Sequence, residues 1–129
     1  MASEPILIVD DNPQNLKLAR VTLAAEGYDV RTAGDAEEAL VLLASYTPRV
    51  ILMDLQLPHM DGLELTRRLK GQPAYRNTSI IALTAYAMKG DESRALAAGC
   101  DAYMSKPIDA EALVRLVAEH VARRERKQS

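Results

Sequence analysis

Apolar residues along this chain fall into short solid runs, separated by longer stretches in which they recur every three or four positions. Ile6-Leu7-Ile8-Val9, Val50-Ile51-Leu52-Met53 and Ile80-Ile81-Ala82-Leu83 are runs of four, and such runs read as strands buried on both faces. Tyr28-Asp29-Val30-Arg31-Thr32-Ala33 instead alternates apolar with polar, the pattern of a half-buried strand. Asp101-Ala102-Tyr103-Met104-Ser105 is a short fifth strand.

The stretches between them carry helical spacing and helical punctuation. Asn12 reads as an N-cap, with Pro13 in the first turn, where its missing N–H costs nothing. Leu16, Ala19, Leu23 and Ala24 form the stripe of that helix, and Gly27 closes it. Asp35 with Glu38 resembles a capping box for a second helix, with apolar positions Ala39, Leu40, Leu42 and Leu43 and an end before Pro48. Asp61 and Glu64 repeat the signal before Leu65 and Leu69, and Gly71-Gln72-Pro73 breaks that third helix. A fourth helix, from near Asp91 to Gly99, is rich in alanine and is expected to be the least firmly anchored. Asp109 caps a fifth, with Leu113, Leu116, Val117 and Val121 facing inward.

Five strands alternating with five helices predict an α/β fold with a parallel sheet, because parallel neighbours need crossover connections. Those crossovers are right-handed almost without exception. The expected order is the flavodoxin-like 2-1-3-4-5, doubly wound, with the first and third strands meeting at the switch point.

Composition narrows the class without naming a function. At 129 residues the chain is one domain by size, with 48% apolar and 26% charged residues. A net charge of −2 gives no reason to expect nucleic-acid binding. No apolar run approaches a membrane span, and Met1-Ala2-Ser3-Glu4-Pro5 lacks the features of a signal peptide. A lone cysteine, Cys100, rules out an internal disulfide, fits a reducing compartment and reads as a small buried side chain. The expectation is a cytoplasmic protein whose residues 122–129 form a charged C-terminal tail.

Candidate chemistry gathers where the strands end. Asp10-Asp11 follows the first strand, Asp54 ends the third, Thr84 ends the fourth and Lys106 follows the fifth, all at the carboxyl edge where open α/β sheets bind ligands. Any one of these has an ordinary reading as a solvated loop, cap or surface residue; their joint placement does not. Carboxylates brought within about 4 Å repel by roughly 4 kcal/mol per pair at an effective dielectric of 20. A proton or a cation must relieve that, and an oxygen-only set suits Mg²⁺, which binds beside phosphate. A backbone carbonyl just past Asp54 would complete the set. Lys106 supplies a compact positive charge for phosphate oxygens, and the Thr84 hydroxyl one more donor. Asp54, central in the group, is the candidate nucleophile for an aspartyl-phosphate. His59 reads as exposed loop and His120 as an ordinary residue of the last helix.

Taken together, Ile8-Val9-Asp10-Asp11-Asn12, Leu52-Met53-Asp54-Leu55-Gln56-Leu57-Pro58, Met60-Asp61-Gly62, Leu83-Thr84-Ala85 and Lys106-Pro107 resemble the receiver domain of two-component response regulators, from about Ile6 to Val121. Ala85-Tyr86-Ala87-Met88-Lys89-Gly90-Asp91 and Gly99-Cys100-Asp101-Ala102-Tyr103 are similar to the single-domain members of the DivK and CheY kind. Receivers of hybrid histidine kinases share such stretches, so a segment of a hybrid kinase is the second reading. The resemblance implies phosphoryl transfer to Asp54 from a phosphohistidine on a histidine kinase or histidine phosphotransfer protein. It implies Mg²⁺ on Asp11, Asp54 and the Gln56 carbonyl, with Asp10 acting partly through a coordinated water. It implies catalysis limited to the domain's own phosphorylation and slow dephosphorylation, in which Thr84 and Lys106 take part. It also implies a switch in which Thr84 moves toward the phosphoryl group and Tyr103 rotates inward, and a cis Lys106-Pro107 bond. The outcome would be read by a downstream protein, or a second copy, on the surface of the fourth helix, fifth strand and fifth helix, with Tyr86, Met88 and Lys89 as contacts.

Three other functions compete. An aspartate-nucleophile phosphatase of the haloacid dehalogenase type needs Asp-x-Asp-x-Thr after strand one, and Asp10-Asp11-Asn12-Pro13-Gln14 lacks the second Asp at that spacing. A flavodoxin-like FMN binder needs a Gly/Ser/Thr-rich phosphate loop where Asp10-Asp11 would repel the ligand. A degenerate receiver that only docks partners is the third.

Overall fold

A computed structural model describes residues 4–58, 60–84 and 91–128, with the side chains of Asp91 and residues 124–128 outside that description. Five strands, β1 (Pro5–Val9), β2 (Asp29–Ala33), β3 (Val50–Asp54), β4 (Ser79–Thr84) and β5 (Ala102–Ser105), form one sheet. Every pairing is parallel and the order is β2-β1-β3-β4-β5, as the strand and helix alternation predicts. The helices are α1 (Pro13–Ala25), α2 (Ala36–Leu43), α3 (Gly62–Lys70), α4 (Asp91–Ala98) and α5 (Ala110–Gln128), plus a single 3-10 turn at Pro73–Tyr75.

Alternation along the strands sorts the core into two layers. Ile6, Ile8, Val50, Leu52, Ile81 and Leu83 pack on one face with Ala19 and Leu23 of α1 and Leu113, Val117 and Val121 of α5. Leu7, Val9, Ile51, Met53, Ile80 and Ala82 pack on the other with α2, α3 and α4. The three inner strands are buried throughout, except for Pro5 at the start of β1, which is why their sequence shows no alternation. Edge strand β2 keeps its alternation, with Asp29 and Arg31 exposed.

The capping signals act as expected. Asn12 accepts from the N–H groups of Gln14 and Asn15, Asp35 from Glu38, Asp61 from Glu64 and Asp109 from Glu111. Gly27 has φ +94°, the left-handed conformation that closes α1. Glu38 reaches back to the N–H of Gly34, one residue before the cap.

Two stripe assignments are corrected. Ala24 and Leu40 point to solvent, because each lies at the border of a helical face that contacts the sheet along a narrower strip than its apolar residues span. His120, on the last helix as read, is buried, with Nδ1 3.2 Å from the Ser79 hydroxyl. Residues 122–128 continue α5. His59, Tyr86, Met88 and Lys89 lie outside the described residues.

Candidate functional site

Strand alternation, carried one step past each strand end, explains what the carboxyl edge presents. Asp10 and Asp54 share the parity of Ile8 and Leu52 and so face the α1/α5 side, and Lys106 shares that of Met104. Thr84 follows Ala82 and lies with Tyr103 on the opposite, α3/α4 side. The sheet thus places the charged groups on one face and the Thr84–Tyr103 pair on the other.

Asp10 and Asp54 are almost fully buried, at 0% and 2% exposure, and Lys106 joins them. Its Nζ lies 2.9 Å from Asp10 Oδ2 and 3.2 Å from Asp54 Oδ2. The Lys106 N–H donates to the Thr84 carbonyl at 2.7 Å, and the Lys106-Pro107 bond is cis, matching the expected geometry. Asp10 also accepts from the Asn12 N–H at 2.9 Å and from Asn15 Nδ2 at 3.4 Å. Asp54 Oδ1 accepts from the Gln56 N–H at 3.0 Å, which holds the turn after β3 against the carboxylate. Asp11 is exposed, yet one carboxylate oxygen from each of Asp10, Asp11 and Asp54 lies within 4.8 Å of the others.

Electrostatics follow from this crowding. Burial pushes the Asp54 carboxyl up to about 6; the Gln56 N–H opposes it, the Asp10 charge adds to it, and Lys106 opposes it. Burial alone would lower the Lys106 pKa, but the hydrogen bond to Asp10 and the two neighbouring carboxylates hold it above the usual lysine value. Three carboxylates faced by one ammonium leave excess negative charge, and every donor atom is oxygen. That set fits a hard divalent cation.

Two residues whose position the sequence did not disclose shape the site. Gly62, at the start of α3, packs so closely that a Cβ there would overlap the Asp54 carbonyl oxygen, and its N–H donates to the Leu55 carbonyl at 3.1 Å. Arg94 of α4 lines a cleft with Gln56, Asp61 and Thr84 at the carboxyl edge of the sheet. Spacing carries no sign of either contact, because each joins separate elements. Cys100 is buried 3.8 Å from Thr66 Oγ1, and burial raises its thiol pKa; it is a packing group, as expected.

Comparison with known proteins agrees with this geometry. The sequence pattern of the response regulator receiver domain matches residues 6–118. The polar-differentiation response regulator DivK of Brucella anthropi is 42% identical over 116 residues, covering 90% of this chain and 94% of that protein. Among solved structures, a CheY-like response regulator receiver domain protein from Methanospirillum hungatei superposes with a TM-score of 0.90 at 31% identity, covering 98% and 99% of the two chains. The signal receiver domain of a signal transduction histidine kinase from Syntrophus aciditrophicus gives 0.85 at 32% identity, covering 93% and 91%.

Proposed function

The chain belongs to the response regulator receiver family, and from that premise we propose that Asp54 accepts a phosphoryl group from a phosphohistidine of a kinase or phosphotransfer partner, with Mg²⁺ held by Asp10, Asp11, Asp54 and the Gln56 carbonyl. The observation that carries the assignment is Lys106, whose ammonium pairs with both Asp10 and Asp54 at the carboxyl edge of the sheet. In the transfer, an Asp54 oxygen forms the O–P bond as the P–N bond to the donor imidazole breaks, and the imidazole takes up a proton. Asp54, with a pKa near 6, is mainly ionised at neutral pH and thus competent as nucleophile. A bound Mg²⁺ supplies charge neutralisation for the transferring group. Lys106 is already poised to follow the new negative charge while keeping its contact with Asp10.

Thr84 and Tyr103 are the proposed switch pair. They share one face of the sheet, and Tyr103 is half-buried against the core layer that contains Ala82 and Ala95. Reorganisation there would reach the α4–β5–α5 surface, read by a downstream protein or a second copy, with Tyr86, Met88 and Lys89 as contacts. The reading treats residues 1–129 as a single receiver domain of the cytoplasm, with no nucleic-acid or membrane partner. No helix among the described residues is long and apolar enough to cross a membrane.

The test is labelling by a small acyl phosphate followed by intact-mass spectrometry. One phosphoryl adduct is expected with Mg²⁺, little without it, none in Asp54→Asn and weak labelling in Asp10→Asn. Equal labelling with and without Mg²⁺ would refute the role of the carboxylate cluster. Hydrolysis of phosphate esters that persists in Asp54→Asn would point instead to a phosphatase.

A further inference from the structure

Among the described residues, large apolar side chains that remain exposed are few, and two of them are adjacent on α2. Leu40 is 36% exposed and Val41 69%, whereas the other three, Leu18, Val21 and Leu96, lie on α1 and α4. A singly exposed leucine means nothing by itself. Leu40, however, opens onto a groove whose other wall is Pro58 and Met60, from the loop that follows Asp54. Ala36 forms part of its lining, and Asp35 and Glu37 stand at its end.

Charge selects the occupant. Asp35, Glu37 and Glu38 crowd the first turn of α2, and the helix has no basic residue along its length. Asp35 and Glu38 are tied into capping bonds, and Glu37 is exposed at the groove's end. The partial positive charge of the helix N-terminus offsets only about half an elementary charge. A second acidic surface would be repelled here; a bulky apolar side chain flanked by Lys or Arg would satisfy both parts of the groove.

We propose that the α2 groove between Leu40 and Met60 docks a basic amphipathic segment of a partner protein, on a surface built by α2 and the loop after β3 rather than by α4, β5 and α5. The surface exists without phosphorylation, so this inference stands or falls apart from the phosphoryl-transfer assignment.

The test is an NMR titration of the ¹⁵N-labelled full chain with two synthetic helical peptides of one Leu pattern, one carrying Lys at its polar positions and the other Glu. The Lys peptide is expected to shift the amides of Ala36, Glu37, Leu40 and Met60, and the Glu peptide to leave them unmoved. Leu40→Asp should weaken binding by roughly tenfold or more and Glu37→Lys by roughly threefold to tenfold, with only the second effect fading at high salt. Both side chains are exposed, and unchanged melting midpoints establish that the variants fold. Equal binding of the Glu peptide, or shifts centred on Leu18 and Val21 or on Leu96, overturns the proposal. Concentration-dependent self-association lost in Leu40→Asp also overturns it, since the occupant is then a second copy.

Discussion

Asp54→Asn is expected to make the protein more stable at neutral pH, although it removes the proposed phosphoacceptor. The Asp54 carboxyl is displaced from 3.8 to about 6, chiefly by burial, and that displacement corresponds to roughly 3 kcal/mol of unfavourable charging in the folded state. Asparagine carries no such cost, and its side-chain oxygen can still accept from the Gln56 N–H. It does lose the ion pair with Lys106, which keeps Asp10 as a partner. The displacement to about 6 is already net of the Lys106 pairing, so the gain at neutral pH should be on the order of 2–3 kcal/mol. The sign with pH follows from proton uptake. Between about 4 and about 6 the folded wild type binds more protons at Asp54 than the unfolded chain does, so its stability falls as pH rises through that window. The advantage of the variant is therefore full above pH about 6 and fades toward pH 4. Urea denaturation of both proteins in EDTA, followed by circular dichroism from pH 4 to 8, measures it directly. A variant no more stable than wild type at pH 7.5, or a gain that does not shrink on acidification, would refute the claim that Asp54 is held ionised against its surroundings.

Other substitutions probe neighbouring contacts. Lys106→Met leaves Asp10 and Asp54 buried without their shared cation and should cost about 3–5 kcal/mol in urea denaturation, partly restored in the double variant with Asp54→Asn; a loss below about 1 kcal/mol contradicts the pairing. Gly62→Ala forces a methyl onto the Asp54 carbonyl and should cost about 1–3 kcal/mol while slowing small-donor phosphorylation, read by the same melts and by mass spectrometry. Tyr46→Phe removes a hydroxyl that donates at the carbonyls of Ile6 and Asp29, 3.1 and 2.9 Å away, and should cost about 1–2 kcal/mol without changing the phosphorylation rate.

Most of the sheet was legible because strands buried on both faces cannot hide their composition, and because α1, α2, α3 and α5 each carry a side-chain cap next to the start. The charged cluster was legible for a related reason: a parallel sheet sends every strand's carboxyl end to one edge, so residues far apart in sequence become neighbours by topology alone. What stayed hidden depends on loops and on helix borders. Tyr46 and Tyr75 lie outside every periodic segment, yet both are buried and both spend their hydroxyls on backbone carbonyls, Tyr75 on that of Leu43. Spacing does not distinguish Leu40 from Leu43, although the first is exposed and the second buried. Lys70 and Asp101 pair at 2.9 Å across elements whose relative placement no local pattern encodes.

The two ends of the sheet are built to opposite standards, and the difference bears on how a switch can be small and still work. At the amino end a set of polar groups on several elements is tied down. Lys70 reaches both Asp101 and the Thr78 carbonyl, Thr78 Oγ1 donates to the Pro48 carbonyl at 2.7 Å, Asp101 accepts from the Ile80 N–H, and His120 meets Ser79. These bonds join β4 to β5, α3 and α5 and would resist displacement as a block. The carboxyl end instead crowds like charges around a single lysine, with Asp54 paying for its position in stability. On the proposed mechanism, a phosphoryl charge added at Asp54 would not be absorbed by shifting the strands. It has to be met by the side chains and loops at that rim, and by α4, whose described buried contacts are only the small side chains of Ala95 and Ala98. A firmly bonded floor beneath a charge-strained rim directs the response toward the face where a partner can read it.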